Sequence, residues 1–561
     1  MPPVPFGAVR LRLVPLAVLA GLVCCTTAQG AQLVHQGTAV LPGAAPTESR
    51  LQRLQAYPRT LVELDPARAA VAAPALRHAG GSLISPELSL WRLPSWTAQR
   101  ALPALLDRGL VRSVTPDVPL ESSPGAPGGF FSQFVDPLSP SEWWVTHVGA
   151  DRWQTPGPGK PLTMIDSGVD LSHQEFANRP NTTALNPQTY SGNEDELHGT
   201  ATSSVAAAPQ NGVGIVGIYP QAALQLWDAS PNAELTVGDE VAGLSAASRR
   251  GPGVINLSLG GFDRIPAEEH AIMAAFSAGS LIVASAGNSR DSGSPASYPA
   301  SFPHVLTVGA TQENDRVTSF SSASPAMDLA APGQDILAAI PTIFDPSGYA
   351  SVDGTSFSAP LVSGAAAAVW TARPTLTNTQ LFEVMRRSAR NVGTRGWDRN
   401  TGYGILNLPA AAARRAPAPD PQEPNEDIYL VRPNGLTRAG HPALTGPTRR
   451  STTISAHMEK REDPEDVYRV YLPAKGRLSL TVKPSANVSL EVWGRHTRTV
   501  FETGSAAKRD LLGVSAHAGS RFERVRLRGR GVGQYVYLDV FLAKNVASAN
   551  YSIRVAALGT R

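Results

Sequence analysis

The spacing of apolar positions changes its period twice after residue 58. Across 59–121, short apolar runs at 60–64, 82–93 and 111–114 alternate with helical patterns at 66–79 and 96–109. This order predicts a small α/β unit. Residues 135–415 carry near-continuous apolar runs at 162–165, 224–227, 254–257, 281–284 and 305–308, with helical stretches at 237–249, 265–279, 356–371 and 377–390. Runs apolar on both sides predict a mostly parallel, doubly wound sheet covered by helices on both faces. Beyond the Pro-rich stretch 416–424, which reads as a stiff linker, the period becomes two, at 467–472, 478–482, 488–492, 535–540 and 551–555. These runs predict an antiparallel β-sandwich without helices over 425–561.

Composition agrees with several folded units. The 561 residues are 42% hydrophobic and 17% charged, which excludes wholesale disorder. The net charge of +3 gives no argument for a nucleic-acid partner. It is unevenly placed, because residues 421–561 hold 22 Lys and Arg against 13 Asp and Glu. Arg524, Arg526, Arg528 and Arg530 alternate, which places them on one strand face. Two readings stay open for them: a solvated edge that resists aggregation, or a contact with a cell surface or acidic polymer.

Both cysteines, Cys24 and Cys25, follow a basic start (Arg10, Arg12) and a short apolar run at 13–23. With the small residues that follow, residues 1–31 read as a secretory signal peptide, too short in apolar length for a membrane span. An exported protein is expected, free of cysteine once the leader is removed. A lipid anchor on Cys24 or Cys25 is disfavoured, because Val23 and Cys24 suit that processing poorly.

Three cassettes carry candidate chemistry. In the first, an apolar strand ends in Asp166 and turns at Gly168; the C-terminal strand ends of an open α/β sheet form its ligand crevice. In the second, His198 opens a helix of small residues after Leu197. In the third, Gly354-Thr-Ser356 opens another, which sets the Ser356 hydroxyl in the positive end of a helix dipole. Each feature alone is common in structural roles. The order Asp, His, Ser is that of one known catalytic triad.

With the cassettes Ile165-Asp-Ser-Gly-Val-Asp170, His198-Gly-Thr200 and Gly354-Thr-Ser-Phe-Ser-Ala-Pro360, the chain resembles the subtilisin family of serine endopeptidases. Val254-Ile-Asn-Leu-Ser258-Leu259-Gly260 resembles that family's substrate-binding strand, and Ser285-Ala286-Gly287-Asn288 its oxyanion segment. The resemblance implies Ser356 as nucleophile, His198 as general base, Asp166 as its orienting carboxylate and Asn288 as an oxyanion donor. It also implies that Ser258, Leu259 and Gly260 pair with substrate backbone, while Ser285, Ala286 and Gly287 line the pocket before the cut. With no carboxylate among these last three, a large apolar residue is expected there rather than Arg or Lys. Two departures stand out: Ala201-Thr-Ser-Ser-Val205 replaces a frequent second histidine with small residues, and Leu361 stands where the family usually has histidine.

By the same resemblance, residues 32–135 form an inhibitory propeptide (folded part about 52–121) and linker, and 136–415 the peptidase domain. Cleavage is expected between about Glu121 and Asp136. Glu423-Pro-Asn-Glu-Asp427 resembles the opening of the pre-peptidase C-terminal domain of secreted bacterial peptidases. Asn211 with the backbone of Val213 and Ile215, and Glu175, resemble a structural calcium site, a set of oxygen donors that suits Ca²⁺. The chemistry itself needs no cofactor. His173, His270 and His304 are expected to be solvated or locally bonded. The expected function is a secreted, self-processed endopeptidase acting on protein or peptide substrates and held latent by its own propeptide. The readings weighed against it are an inactive adhesion protein and a processing protease for one partner.

Overall fold

The computed structural model describes residue 54 and residues 57–122, 136–189, 194–231 and 233–558. The expected leader, with Cys24 and Cys25, and the linker at 123–135 lie outside the described residues.

The N-terminal unit is a four-stranded antiparallel sheet of order β2-β3-β1-β4. It is built from β1 (Arg59–Leu64), β2 (Ser82–Ser85), β3 (Leu90–Pro94) and β4 (Val111–Pro116). Helices α1 (Ala69–His78) and α2 (Ser95–Asp107) bury Ala72, Leu76, Ala98 and Leu102 in one core with Val62, Leu64 and Trp91 of the sheet. The single strand expected over 82–93 is in fact a hairpin. Pro86 cannot donate to a ladder, and Ser89 takes a left-handed φ of 54°. A two-residue strand, β5 (Glu121–Ser122), follows.

The central domain is organised on a seven-stranded parallel sheet of order β13-β12-β11-β9-β6-β8-β7. Its strands are β6 (Pro161–Asp166), β7 (Thr182–Ala184), β8 (Ala223–Asp228), β9 (Val254–Leu257), β11 (Leu281–Ser285), β12 (Val305–Thr311) and β13 (Met327–Pro332); β10 (Leu259–Gly260) continues from β9. Buried side chains go to both faces, as expected for such a sheet: Leu162 and Met164 join the core on one side, Ile165 that on the other. On the first side lie α3 (His198–Ala207) and α6 (Thr355–Ala372), and on the second α4 (Val237–Arg249) and α5 (Pro266–Ser277). The small residues of α3 and α6 permit unusually close packing. A Cβ on Gly364 would meet Ile218 Cγ2 at 2.4 Å and the Ala206 carbonyl at 2.9 Å. A hairpin of β14 (Ile336–Ala339) and β15 (Tyr349–Val352) leads into α6, and α7 (Asn378–Arg387) follows, opened by a capping box at Thr377 and Gln380.

The C-terminal part pairs two antiparallel four-stranded sheets. One has the order β16-β23-β18-β21, the other β17-β22-β19-β20. They comprise β16 (Ser451–Glu459), β17 (Glu465–Leu472), β18 (Arg477–Pro484), β19 (Val488–Trp493), β20 (Leu511–Ser515), β21 (Glu523–Arg528), β22 (Gln534–Leu542) and β23 (Ser548–Leu558). Strand β16 escapes the sequence reading because its first half, Ser-Thr-Thr-Ile-Ser, buries no side chain. The expectation of no helices fails at Gly504–Asp510 and at the turn Ile428–Val431. Arg524, Arg526 and Arg528 are exposed on β21, and Arg530 lies beyond its end. One apolar cluster joins all three parts: Leu61 and Leu120, the α5 residues Ala271 and Phe276, and Ile428, Leu436 and Val467. Among the described residues, no helix is long and apolar enough to cross a membrane.

Candidate active site

Asp166 is the last residue of β6 and His198 the first of α3. The two can meet because Gly199 has no side chain, since a Cβ there would stand 1.8 Å from the Ser167 carbonyl oxygen. Instead the Gly199 N–H donates to Ser167 Oγ at 2.8 Å. His198 Nδ1 then lies 2.6 Å from Asp166 Oδ1, with both side chains shut off from solvent. Asp166 also accepts the N–H of Ser167 on Oδ1 (2.8 Å) and the hydroxyl of Thr202 on Oδ2 (3.0 Å). Such a carboxylate is fixed in place, and it fixes the imidazole in turn. Thr202 was not singled out from the sequence. The signal was present, because a residue four after His198 shares its helix face.

Ser356 sits in the first turn of α6, against the end of β9. Its carbonyl accepts the Ser258 hydroxyl at 2.8 Å, and its own Oγ donates to the Ser258 carbonyl at 3.2 Å. His198 Nε2 is buried and has no hydrogen-bond partner. The serine–histidine hydrogen bond expected from the sequence is therefore not made in this structure. Catalytic hydrogen bonds are often long or misaligned before substrate binds and tighten in its complex. The next residue, Phe357, packs its ring 5.8 Å from the imidazole.

Asn288 is brought to the same point by Thr355, whose N–H and hydroxyl both donate to Asn288 Oδ1, at 3.0 and 2.9 Å. The amide oxygen is thereby occupied, and Nδ2 is the atom left to donate. Thr355 Oγ1 also accepts the N–H of Gly287 at 3.2 Å, so one hydroxyl ties the segment 285–288 to the start of α6. Ser285 ends β11, and Ala286 donates its N–H to Val308 O. Leu259 and Gly260 are taken by β5, with Leu259 opposite Ser122 and Gly260 opposite Glu121 in antiparallel register. The end of the N-terminal unit thus lies along the strand read as the substrate's partner.

Glu175 meets the predicted calcium loop through Oε1, which accepts the Ile215 N–H at 2.9 Å and the Tyr349 hydroxyl at 2.7 Å. Asn211 Oδ1 accepts the N–H of Val213 within its own turn. The second Glu175 oxygen is buried without a partner, and burial pushes this carboxyl up to about 7. An orphaned carboxylate oxygen beside the loop fits a hard cation. A second donor group was not anticipated: Asp420, Glu423, Asp463 and Asp466 bring ligand atoms within 4.8 Å of one another at the junction with the C-terminal sheets.

His173 and His304 are buried and His270 is partly buried. His173 bonds to Gly348 O at 2.9 Å, which is local to the fold. His270 and His304 depart from expectation and form links between parts of the chain. His270 Nδ1 lies 2.8 Å from Glu63 Oε2 of the N-terminal unit. His304 stacks on Phe276 and packs among Glu423, Glu426 and Glu462. Burial opposes its charge, but Glu426 and Glu462 outweigh it and raise its pKa.

The doubly wound parallel sheet carries Asp166 with its bonded His198 at the carboxyl end of β6, and Ser258 with its bonded Ser356 just past the carboxyl end of the neighbouring β9. The Subtilase family pattern matches residues 157–404. Subtilisin Savinase of Lederbergia lenta is 34% identical over 278 residues, 48% of this chain and 97% of that protein. Subtilisin amylosacchariticus of Bacillus subtilis subsp. amylosacchariticus is 32% identical over 261 residues, 46% of this chain and 66% of its own length. In fold the chain is similar to fervidolysin from Fervidobacterium pennivorans, a keratinolytic enzyme related to subtilisin, at a TM-score of 0.53 and 18% identity, covering 83% and 84% of the two chains. The chain belongs to the subtilase family of serine peptidases.

Proposed function

We propose that the chain is a secreted serine endopeptidase made as a latent, self-processed precursor. The observation that carries this is the buried His198–Asp166 pair, with the ring of Phe357, the residue after Ser356, 5.8 Å from the imidazole. In the proposed reaction, His198 Nε2 takes the Ser356 proton as Oγ attacks the scissile carbonyl, and later gives it to the leaving amine. Asp166, held by Thr202 and the Ser167 N–H, stabilises the imidazolium that forms. The oxyanion is met by the N–H of Ser356 and by Asn288 Nδ2. Substrate backbone adds as a strand to Leu259–Gly260 in place of β5, so affinity depends little on side chains there. The pocket at Ser285, Ala286 and Gly287 takes a large apolar residue.

Residues 32–135 act as the propeptide and its linker (folded part about 52–121), with β5 lying in the cleft as a product would; the cut falls between about Glu121 and Asp136, around the stretch 123–135 outside the described residues. Residues 136–415 form the peptidase domain, and the exposed Arg524, Arg526 and Arg528 of the C-terminal domain suit either a solvated edge that resists aggregation or a contact with a cell surface or acidic polymer. Calcium, where bound, is held by Glu175 and Asn211 with the Val213 and Ile215 backbone, and its role is rigidity alone.

The decisive experiment is labelling with a serine-directed fluorophosphonate. Modification of Ser356, abolished in Ser356→Ala while the variant still folds, is the expected result. A folded chain that stays unlabelled after propeptide removal would establish the rival reading of an inactive binding protein. Digestion of casein separates broad action from processing of one partner.

A further inference from the structure

Glu63 is fully buried in β1, opposite Ser113 of β4. Three groups converge on its carboxylate: Arg112 Nη1 on Oε1 at 2.7 Å, and Ser113 Oγ (3.2 Å) and His270 Nδ1 (2.8 Å) on Oε2. His270 belongs to α5 of the peptidase domain. The Arg112 guanidinium does not stop at Glu63. It also donates to three consecutive backbone carbonyls of the C-terminal part, Asn434, Gly435 and Leu436. That turn is firmly built. Asn434 takes a left-handed φ of 55°, Leu436 is buried, and its N–H donates to Tyr429 O at 2.6 Å. Leu61 of β1 lies in the same apolar cluster as Ile428, Leu430, Val431 and Leu436.

A planar guanidinium with five donors suits this role; a lysine ammonium lacks the fork. The N-terminal unit is also anchored on the peptidase domain, through Arg92–Asp239, Arg59–Glu234 and the Asp117 bond to the Gly238 N–H. Arg112 is therefore placed to make the strength of the inhibitor depend on a third body.

We infer that the 428–436 segment of the C-terminal part forms, with α5, a composite docking surface for the propeptide, clamped on Arg112 and Glu63. This rests on the reading of the N-terminal unit, within residues 32–135, as an inhibitory propeptide. Release of the inhibitor then requires the C-terminal turn to let go, and a chain whose C-terminal domain is displaced or lost activates sooner.

The test uses the full chain, following the first cut by gel and the onset of activity with a fluorogenic peptide. Arg112→Ala should leave the rate of cutting and the final activity unchanged but shorten the lag at least about tenfold, as expected for lost hydrogen bonds to a charged group. Arg112→Lys should fall between. Gly435→Ala perturbs the other side, because its Cβ would stand 2.0 Å from the Tyr429 carbonyl. It should shorten the lag similarly, and the double variant no further than either single one. Equal lags in Arg112→Ala and wild type, or fully additive effects in the double variant, overturn the composite surface while leaving the propeptide reading intact. Activity present from the start, with no cut needed, overturns the propeptide reading itself. Melting curves of each variant on the Ser356→Ala background identify any that fail to fold, and the Arg112→Lys lag then decides.

Discussion

Replacing Gly199 with alanine tests the proposed catalytic geometry at a residue that takes no part in the chemistry. The added Cβ would lie 1.8 Å from the Ser167 carbonyl oxygen, against a floor of 3.0 Å for real Cβ contacts. Either the first turn of α3 or the end of β6 must then yield by about 1.2 Å. His198 precedes Gly199 and Asp166 precedes Ser167, so the shift falls on the 2.6 Å bond between them. A misplacement of about 1 Å in a reacting constellation costs on the order of 100-fold in rate, or about 2.7 kcal/mol. Overpacking costs a further 1–3 kcal/mol, roughly, in stability. The assay is kcat/KM on a peptide substrate, corrected for active enzyme by fluorophosphonate titration, with a melting curve measured in parallel. The expected result is a folded, less stable enzyme whose kcat falls about 100-fold while KM changes little. A folded Gly199→Ala variant within about threefold of wild type would refute the argument that this close approach sets the His198–Asp166 geometry.

Further outcomes follow from the same structure. Asn288→Ala should lower kcat by about 10²–10³-fold with little change in KM, the range already known for one oxyanion donor in subtilisin. Asp315 is held down to about 2 by the Arg390 guanidinium, with His147 assisting against partial burial. A depressed carboxyl contributes stability above its ordinary value and loses it as pH falls toward 2. Asp315→Asn should therefore cost under about 1 kcal/mol at pH 7, since the pair is over a third exposed, and nothing near pH 2. Melting temperatures of the two proteins should converge between pH 4 and 2. Chelation with EDTA should lower the melting temperature of the wild type and leave Glu175→Gln unmoved; an EDTA shift that survives in Glu175→Gln would place calcium elsewhere.

Local chemistry made much of the chain readable. Five of the seven parallel strands announced themselves as apolar runs, as at Val254-Ile-Asn-Leu257, which buries every residue; β7, whose Thr-Thr-Ala buries none, and β13 did not. Helix α6 was readable from its small residues, which allow the contact at Gly364. The strand β16 was not, because its polar half gives no apolar period and it is held by pairing with β23. The hairpin over 82–94 was hidden because both of its arms are apolar and only Pro86 and Ser89 mark the turn.

The cassettes around Asp166, His198 and Ser356 are legible because each is a short run whose residue types serve a local need: a strand end, a helix start, a dipole. Their support is not legible in the same way. Thr355 reaching Asn288, and Arg112 reaching from the N-terminal unit to a turn more than 320 residues later, are pairings across the fold. The direction of the Ser356 hydroxyl, toward Ser258 rather than His198, is likewise a matter of packing. Residue order determined which elements form and what chemistry they carry. Tertiary structure alone decided which buried polar groups find each other, because a hydrogen-bond partner is chosen by proximity in space, and proximity at long separation appears only once the layers have packed.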